Sequence, residues 1–435
     1  MNRKPRVLMV GRRFWPHGGW DSACSLLHES VSLRRRGVQV DVLTPKYESS
    51  WPDQTVIREV PVYRCCVAPR RDWSIGKYMR AMTGWMVERA ASYDLIYVDS
   101  AREELSSAME ASEKTGTPVV ARCRSGGVSA DTHWWDTSRH GKRCMLVARR
   151  ARGILVNDAE TRRDLVIRDF HPSKVHRIPS GFRQLTKVTA DERWRIRKEL
   201  ANANADLVTE PDTPVLLCHA GMNFSSGVEH LVGISRLLLL RFPNLRIWLV
   251  GDGPTRDTIY TNLRAEGVRA SVAIPGSFSD PMDVFRASNV YFQAGDEGLG
   301  FFLPLAISLH LPVVAVDQLP LRRMLQAEEE PGKTTENRLS PTEPVVSLNR
   351  DLETNIVPRG LKTQDLVTDR FDCASDLLTW CDPARPKTMK DGIISVLKDL
   401  PSATRRAELL STLMLRRRSE HRLMDAFADN FLSPY

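Results

Sequence analysis

Arg6-Val7-Leu8-Met9-Val10-Gly11-Arg12-Arg13-Phe14-Trp15-Pro16-His17-Gly18-Gly19 opens the chain with a short apolar strand that runs into a glycine-bearing loop. A helical stretch follows: Ser22 caps it, Ala23, Leu26, Leu27 and Val31 recur at helical spacing, and Gly37 stops it. Val38 to Leu43 is again β-rich and closes on Thr44-Pro45. This is a βαβ unit, with its glycine loop where strand meets helix.

The same grammar repeats. Strands are predicted at Leu95 to Val98, Val119 to Arg122, Ile154 to Asn157 and Val175 to Ile178. Residues 184–212 are polar and charged and read as a linker between a first domain, 1–183, and a second, 213–414. The second domain starts at the strand Val215 to Cys218, with a Gly221 loop and a helix carrying Val228, Leu231, Val232, Leu238 and Leu239. Strands at Leu245 to Val250, Val272 to Ile274, Val290 to Gln293 and Pro312 to Val316 continue it. Residues 326–370 fit neither period and read as an irregular insertion. The expected fold class is α/β: two doubly wound, Rossmann-like domains facing across a cleft, the C-terminal helix 415–435 returning to the first.

Composition narrows the function classes. At 435 residues the chain needs two or three domains of roughly 150 residues. Hydrophobic residues at 42% and charged ones at 26% exclude disordered and coiled-coil classes. Apolar runs such as Phe301 to Ile307 fall far short of the roughly 20 residues of a membrane span, and Val7 to Val10 is too short for a signal-peptide core, so the expected location is cytoplasmic. The eight cysteines show no C-x-x-C pair and no zinc spacing, which reads as free thiols. The net charge of +9 is uneven: residues 1–185 hold 32 Lys+Arg against 20 Asp+Glu, and the rest 30 against 33. A basic first half suits peripheral contact with an anionic membrane. No nucleic-acid signature accompanies it.

Three motifs carry chemistry. Gly18-Gly19 places backbone N–H groups at a helix start, where phosphate binds. Gly251-Asp252-Gly253 resembles the start of a dinucleotide fingerprint, but Arg256 stands where the third glycine belongs, which argues against a dinucleotide oxidoreductase. Gly295-Asp296-Glu297-Gly298-Leu299-Gly300, running into a helix and then Leu311-Pro312-Val313-Val314-Ala315, sets a carboxylate beside free N–H donors. Such a site takes a sugar hydroxyl on the carboxylate and a diphosphate on the helix end.

Taken in order, these stretches resemble glycosyltransferase family 4, the retaining group of GT-B fold. The marks are Phe14-Trp15-Pro16-His17-Gly18-Gly19, Val40-Asp41-Val42-Leu43, Ile178-Pro179-Ser180-Gly181, Val250-Gly251-Asp252-Gly253-Pro254 and Glu297-Gly298-Leu299-Gly300, with Cys381-Asp382-Pro383 near the end. The resemblance spans nearly the whole chain. It implies transfer of a sugar from a nucleoside-diphosphate sugar to a glycan, lipid-linked or small-molecule acceptor with retained configuration. It also implies a donor in the C-terminal domain, an acceptor in the N-terminal one, and no metal or other cofactor. The absence of any Asp-x-Asp from the chain agrees on the metal.

On this reading Glu297, Asp131 and His133 are the candidate catalytic residues, Glu297 for the donor sugar and the other two for acceptor or sugar. Gly18, Gly19, Gly221, Gly298, Leu299, Gly300 and Arg183 are the candidate donor-binding residues, with Arg12 and Arg13 next in line for the diphosphate. The chain departs from the family in its donor motif. A second glutamate is expected eight residues after Glu297, but Leu305 is there; an arginine and a lysine are expected after Gly221, but Met222 and Ser226 are there. The histidine expected after the strand near Val120 is replaced by Arg122-Cys123-Arg124. Losing one pre-organised charge donor costs about 3 kcal/mol, a hundredfold in rate. Either other cations take over, or the protein is a non-catalytic, glycosyltransferase-like binding or assembly protein.

Overall fold

The computed structural model describes residues 3–17, 19–124, 130–224, 226–326 and 374–432. Gly18 and the insertion from 327 onward therefore lie outside the described residues. In the N-terminal half the elements are β1 (Arg6–Val10), α1 (Asp21–Arg35), β2 (Gln39–Lys46), β3 (Gln54–Ile57), β4 (Val60–Val67), α2 (Asp72–Arg89), β5 (Leu95–Val98), α3 (Glu103–Thr115), β6 (Val119–Cys123), α4 (Asp131–Thr137), α5 (Gly141–Ala148), β7 (Gly153–Val156), α6 (Ala159–Ile167) and β8 (Val175–Arg177). The C-terminal half runs α7 (Ala190–Ala203), β9 (Val215–His219), α8 (Val228–Arg241), β10 (Arg246–Val250), α9 (Arg256–Ala265), β11 (Val272–Gly276), α10 (Met282–Ala287), β12 (Val290–Gln293), α11 (Phe302–Ser308), β13 (Val313–Val316), α12 (Leu319–Leu325), β14 (Thr379–Cys381), α13 (Pro386–Lys398) and α14 (Leu400–Arg417). α15 (Glu420–Phe431) ends the described chain.

Two sheets result. The first has strand order β3-β4-β2-β1-β5-β6-β7-β8, the second β11-β10-β9-β12-β13-β14. All pairings are parallel except the β3–β4 hairpin at one edge. Both faces of each sheet are covered, so strands read as unbroken apolar runs: along β1, Val7 and Met9 enter one core cluster while Leu8 and Val10 enter the other. In β9, Val215 and Leu217 face one side and Leu216 and Cys218 the other. No disulfide joins the seven described cysteines.

Strand order reverses at β1, which lies between β2 and β5, and at β9, which lies between β10 and β12. Open α/β sheets leave a crevice for ligands at such switch points, beyond the carboxyl ends of the strands. The loops after β1, β9 and β12 all reach that crevice.

Two boundaries depart from the sequence reading. The region read as a linker contains α7, which packs on α10 and buries Ile196, Arg197 and Leu200. The Arg197 guanidinium donates to the carbonyls of Ala287 and Thr213 and to Asn289 Oδ1, so a buried arginine pins this helix to the C-terminal sheet. The helix that returns to the N-terminal half is α15, not the whole of 415–435. α14 packs on the C-terminal half near α11, and the chain crosses at Arg418-Ser419. There it runs beside the outgoing strand, Phe182 N–H donating to Arg418 O and Glu420 N–H to Phe182 O. Phe427 and Phe431 then join the N-terminal core.

Candidate functional site

The crevice between the halves is a cleft of about 900 Å³. Its C-terminal wall is the turn after β12. Buried Gln293 shapes that turn: its Nε2 donates to the carbonyls of Gly295 and Glu297, both at 2.6 Å, and its Oε1 accepts from Tyr291 Oη at 3.0 Å. Gly298, at φ 84°, occupies the left-handed region that favours glycine. Glu297 is thereby turned toward the loop after β9. Its Oε2 accepts from Gly221 N–H at 3.0 Å and its Oε1 from Asn223 Nδ2 at 2.8 Å. Burial pushes the Glu297 carboxyl above the usual carboxylate range, against the opposing pull of these two donors. A carboxylate has about four acceptor positions, so acceptor capacity remains for a ligand hydroxyl.

Gly251-Asp252-Gly253 has a packing role. A Cβ at Gly251 would run into the carbonyl of Ala220, and one at Gly253 into that of Met222. The two glycines let the loops after β9 and β10 touch.

From the other half, Asp21, the first residue of α1, crosses the cleft. Its Oδ1 accepts from the N–H groups of Phe301 (2.7 Å) and Phe302 (3.2 Å), its Oδ2 from Gly300 (3.1 Å). Burial raises its pKa despite these donors. A Cβ at Gly19 would run into the Ser277 side chain of the opposite half, so glycine lets the two halves approach closely here. Arg58 pairs with Asp280 and Arg323 with Glu160 across the same gap.

The candidates separate clearly. Glu297, Gly19, Gly221, Gly298, Leu299 and Gly300 all line the cleft. Asp131 does not serve there: it is 0% exposed, and its oxygens accept from Ala101 N–H, Arg124 N–H and Arg102 Nε. It is an internal brace. His133, on the exposed side of α4, is no part of the cleft lining. Arg183 lines a separate recess of about 50 Å³ beside the chain crossing, with Glu420 at 3.9 Å and the Phe301 ring at 4.8 Å. Met222 and Ser226, each 1% exposed, and fully buried Leu305 belong to the core rather than the cleft surface. Gln293, Asn223 and Asp21 were not singled out from sequence. Asp21 carried the one usable signal, an acid at a helix start beside the glycine loop.

Comparison with known proteins agrees with this fold. Residues 25–181 match the glycosyl transferase 4-like domain, and residues 213–341 match glycosyl transferases group 1. The putative glycosyltransferase EpsD of Bacillus subtilis (strain 168) is 24% identical over 157 residues, 36% of this chain, and the match spans only 39% of that relative's length. Among solved structures, Anabaena Alr3699/HepE in complex with UDP and glucose aligns over 98% of this chain and 99% of its own, at TM-score 0.66 and 16% identity. Sucrose-phosphate synthase from Thermosynechococcus elongatus aligns over 99% and 98%, at 0.65 and 15%. WaaG, a glycosyltransferase involved in lipopolysaccharide biosynthesis, aligns over 98% and 100%, at 0.63 and 13%. Two stretches of the chain, 25–181 and 213–341, thus match glycosyltransferase domain models, and the whole described fold is that of GT-B structures.

Proposed function

We propose that the protein is a retaining hexosyltransferase that moves a sugar from a nucleoside-diphosphate sugar to a hydroxyl of a glycan, lipid-linked or small-molecule acceptor, without a metal ion. The observation that carries this reading is Glu297, held on a glycine turn at the wall of a cleft that both halves line. HepE, which shares the fold, is known with UDP-glucose bound, and supports a nucleotide sugar as donor. In the reaction proposed, Glu297 accepts from the donor sugar's hydroxyls. The bond from the anomeric carbon to the diphosphate oxygen breaks while the acceptor oxygen bonds to that carbon on the same face, and the acceptor's proton leaves with the diphosphate. Cleft electrostatics stabilise the departing charge.

Glu297→Gln tests the assignment. Transfer should fall by about a hundredfold or more while the thermal midpoint holds; unchanged turnover would sink the role of Glu297. The buried Met222, Ser226 and Leu305 favour a second reading, binding of a sugar nucleotide without turnover. Transfer at an enzymatic rate from any sugar nucleotide ends it. For location we propose the cytoplasm, with the basic N-terminal half resting on an anionic membrane. Among the described residues no helix is long and apolar enough to cross one.

A further inference from the structure

A nucleoside diphosphate brings several negative charges into the cleft, yet the donor-side loop after β9 answers with none of its own: Met222 and Ser226 are both buried. The cleft's arginines must be sorted by what they already hold. Arg12 is committed to Glu103 at 2.9 Å and Glu104 at 2.6 Å. Arg102 is tied to Asp131 and Arg124 to Asp99. Arg323 is engaged with Glu160 across the gap, and Arg418 donates to the carbonyls of Met324 and Gln326.

Arg13 differs from all of these. Among the described residues it meets no carboxylate; its guanidinium lies 3.5 Å from the centroid of the Trp20 ring, and the indole is 40% exposed. Burial lowers its pKa, and Arg12 and Arg102 act the same way against the opposing pull of Tyr47 and Glu104. Its place fits. Arg13 stands in the loop after β1, stacked on the residue next to Asp21, and Asp21 touches Gly300 on the opposite wall. Arg163 also lines the cleft without a described carboxylate, but it is exposed, so water already compensates it.

We infer that Arg13 supplies, from the N-terminal half, the positive charge that holds the donor's diphosphate. This rests on the donor-cleft reading above. The Trp20 face holds the guanidinium in place before the ligand arrives, so little side-chain freedom is lost on binding. The diphosphate site is thus shared: carboxylate and glycine turn from one half, cation from the other.

The test is calorimetric titration of the full chain with UDP and, separately, inorganic pyrophosphate. The wild type should bind both. Arg13→Gln should weaken both by about tenfold or more, and Arg13→Lys, which keeps the charge, by less. Pyrophosphate does not absorb near 280 nm, so a change in tryptophan emission on adding it reports an anion arriving beside the stacked Arg13–Trp20 pair. That change should vanish in Arg13→Gln and in Trp20→Phe, with unchanged melting confirming the fold. Wild-type affinity in Arg13→Gln overturns the role of Arg13 and leaves the donor cleft standing. Loss in Arg163→Gln but not in Arg13→Gln overturns it as well. Silence of the wild type toward UDP and pyrophosphate overturns it together with the donor-cleft reading.

Discussion

His219 ends β9 just before the Gly221 loop and is 2% exposed, its ring 3.9 Å from that of Phe302 between centroids. Beyond its own backbone neither ring nitrogen has a partner among the described residues. Burial pushes its pKa down to about 3. The unfolded chain takes up this proton near the ordinary value of 6.5, the folded chain only near 3, so its share of stability is intact above 6.5 and is lost as pH falls through that window. His219→Leu should therefore gain on the wild type by about 1 kcal/mol for each pH unit below 6. Parallel melting curves from pH 7 to 5 would refute this. At this scale the sequence was only partly legible. The place of Glu297 on the cleft wall was readable because a carboxylate on a glycine turn before a helix has few structural uses. Asp131 was also offered for acceptor or sugar, and its three satisfied hydrogen bonds, which spacing does not reveal, make it a brace.

α2 shows the same limit for elements. Tyr78, Met82 and Met86, on one side of α2, face the N-terminal core, and Met79 and Trp85 pack against it. They are not available to a bilayer. What α2 leaves outside is its beginning, where Arg70 and Arg71 are exposed and Trp73 is 77% exposed. A cationic pair with an indole suits an anionic interface. The full chain should sediment with vesicles containing anionic lipid and not with neutral ones, and Trp73→Ala with Arg70→Gln and Arg71→Gln should lower that recovery. Equal recovery from both vesicle types would count against membrane contact. Other elements escaped the sequence for physical reasons. The β3–β4 hairpin is a short edge pair with half-exposed residues and so lacks a long apolar run. α7 hid among charges because a buried arginine does the work usually given to leucine.

For the whole molecule, two parallel sheets meet at the carboxyl ends of their strands, and the parts facing each other are the loops after β1, β9 and β12. This was the most legible level, since unbroken apolar strands alternating with helices dictate covered parallel sheets whatever the side-chain detail. Contacts across the gap were not legible. Asp21 on Gly300, Phe301 and Phe302, Arg58 on Asp280 and Arg323 on Glu160 join residues roughly 160 to 280 positions apart, which no local pattern encodes. The central claim is that this cleft holds a sugar nucleotide although its donor-side loop carries no cation. The most direct measurement is a thermal-shift and calorimetric panel of UDP-, GDP-, ADP- and dTDP-sugars with the full chain, without added metal and with a chelator. Saturable stabilisation by one base, unaffected by the chelator, is the expected result. No shift from any member of the panel would contradict a donor site in this cleft.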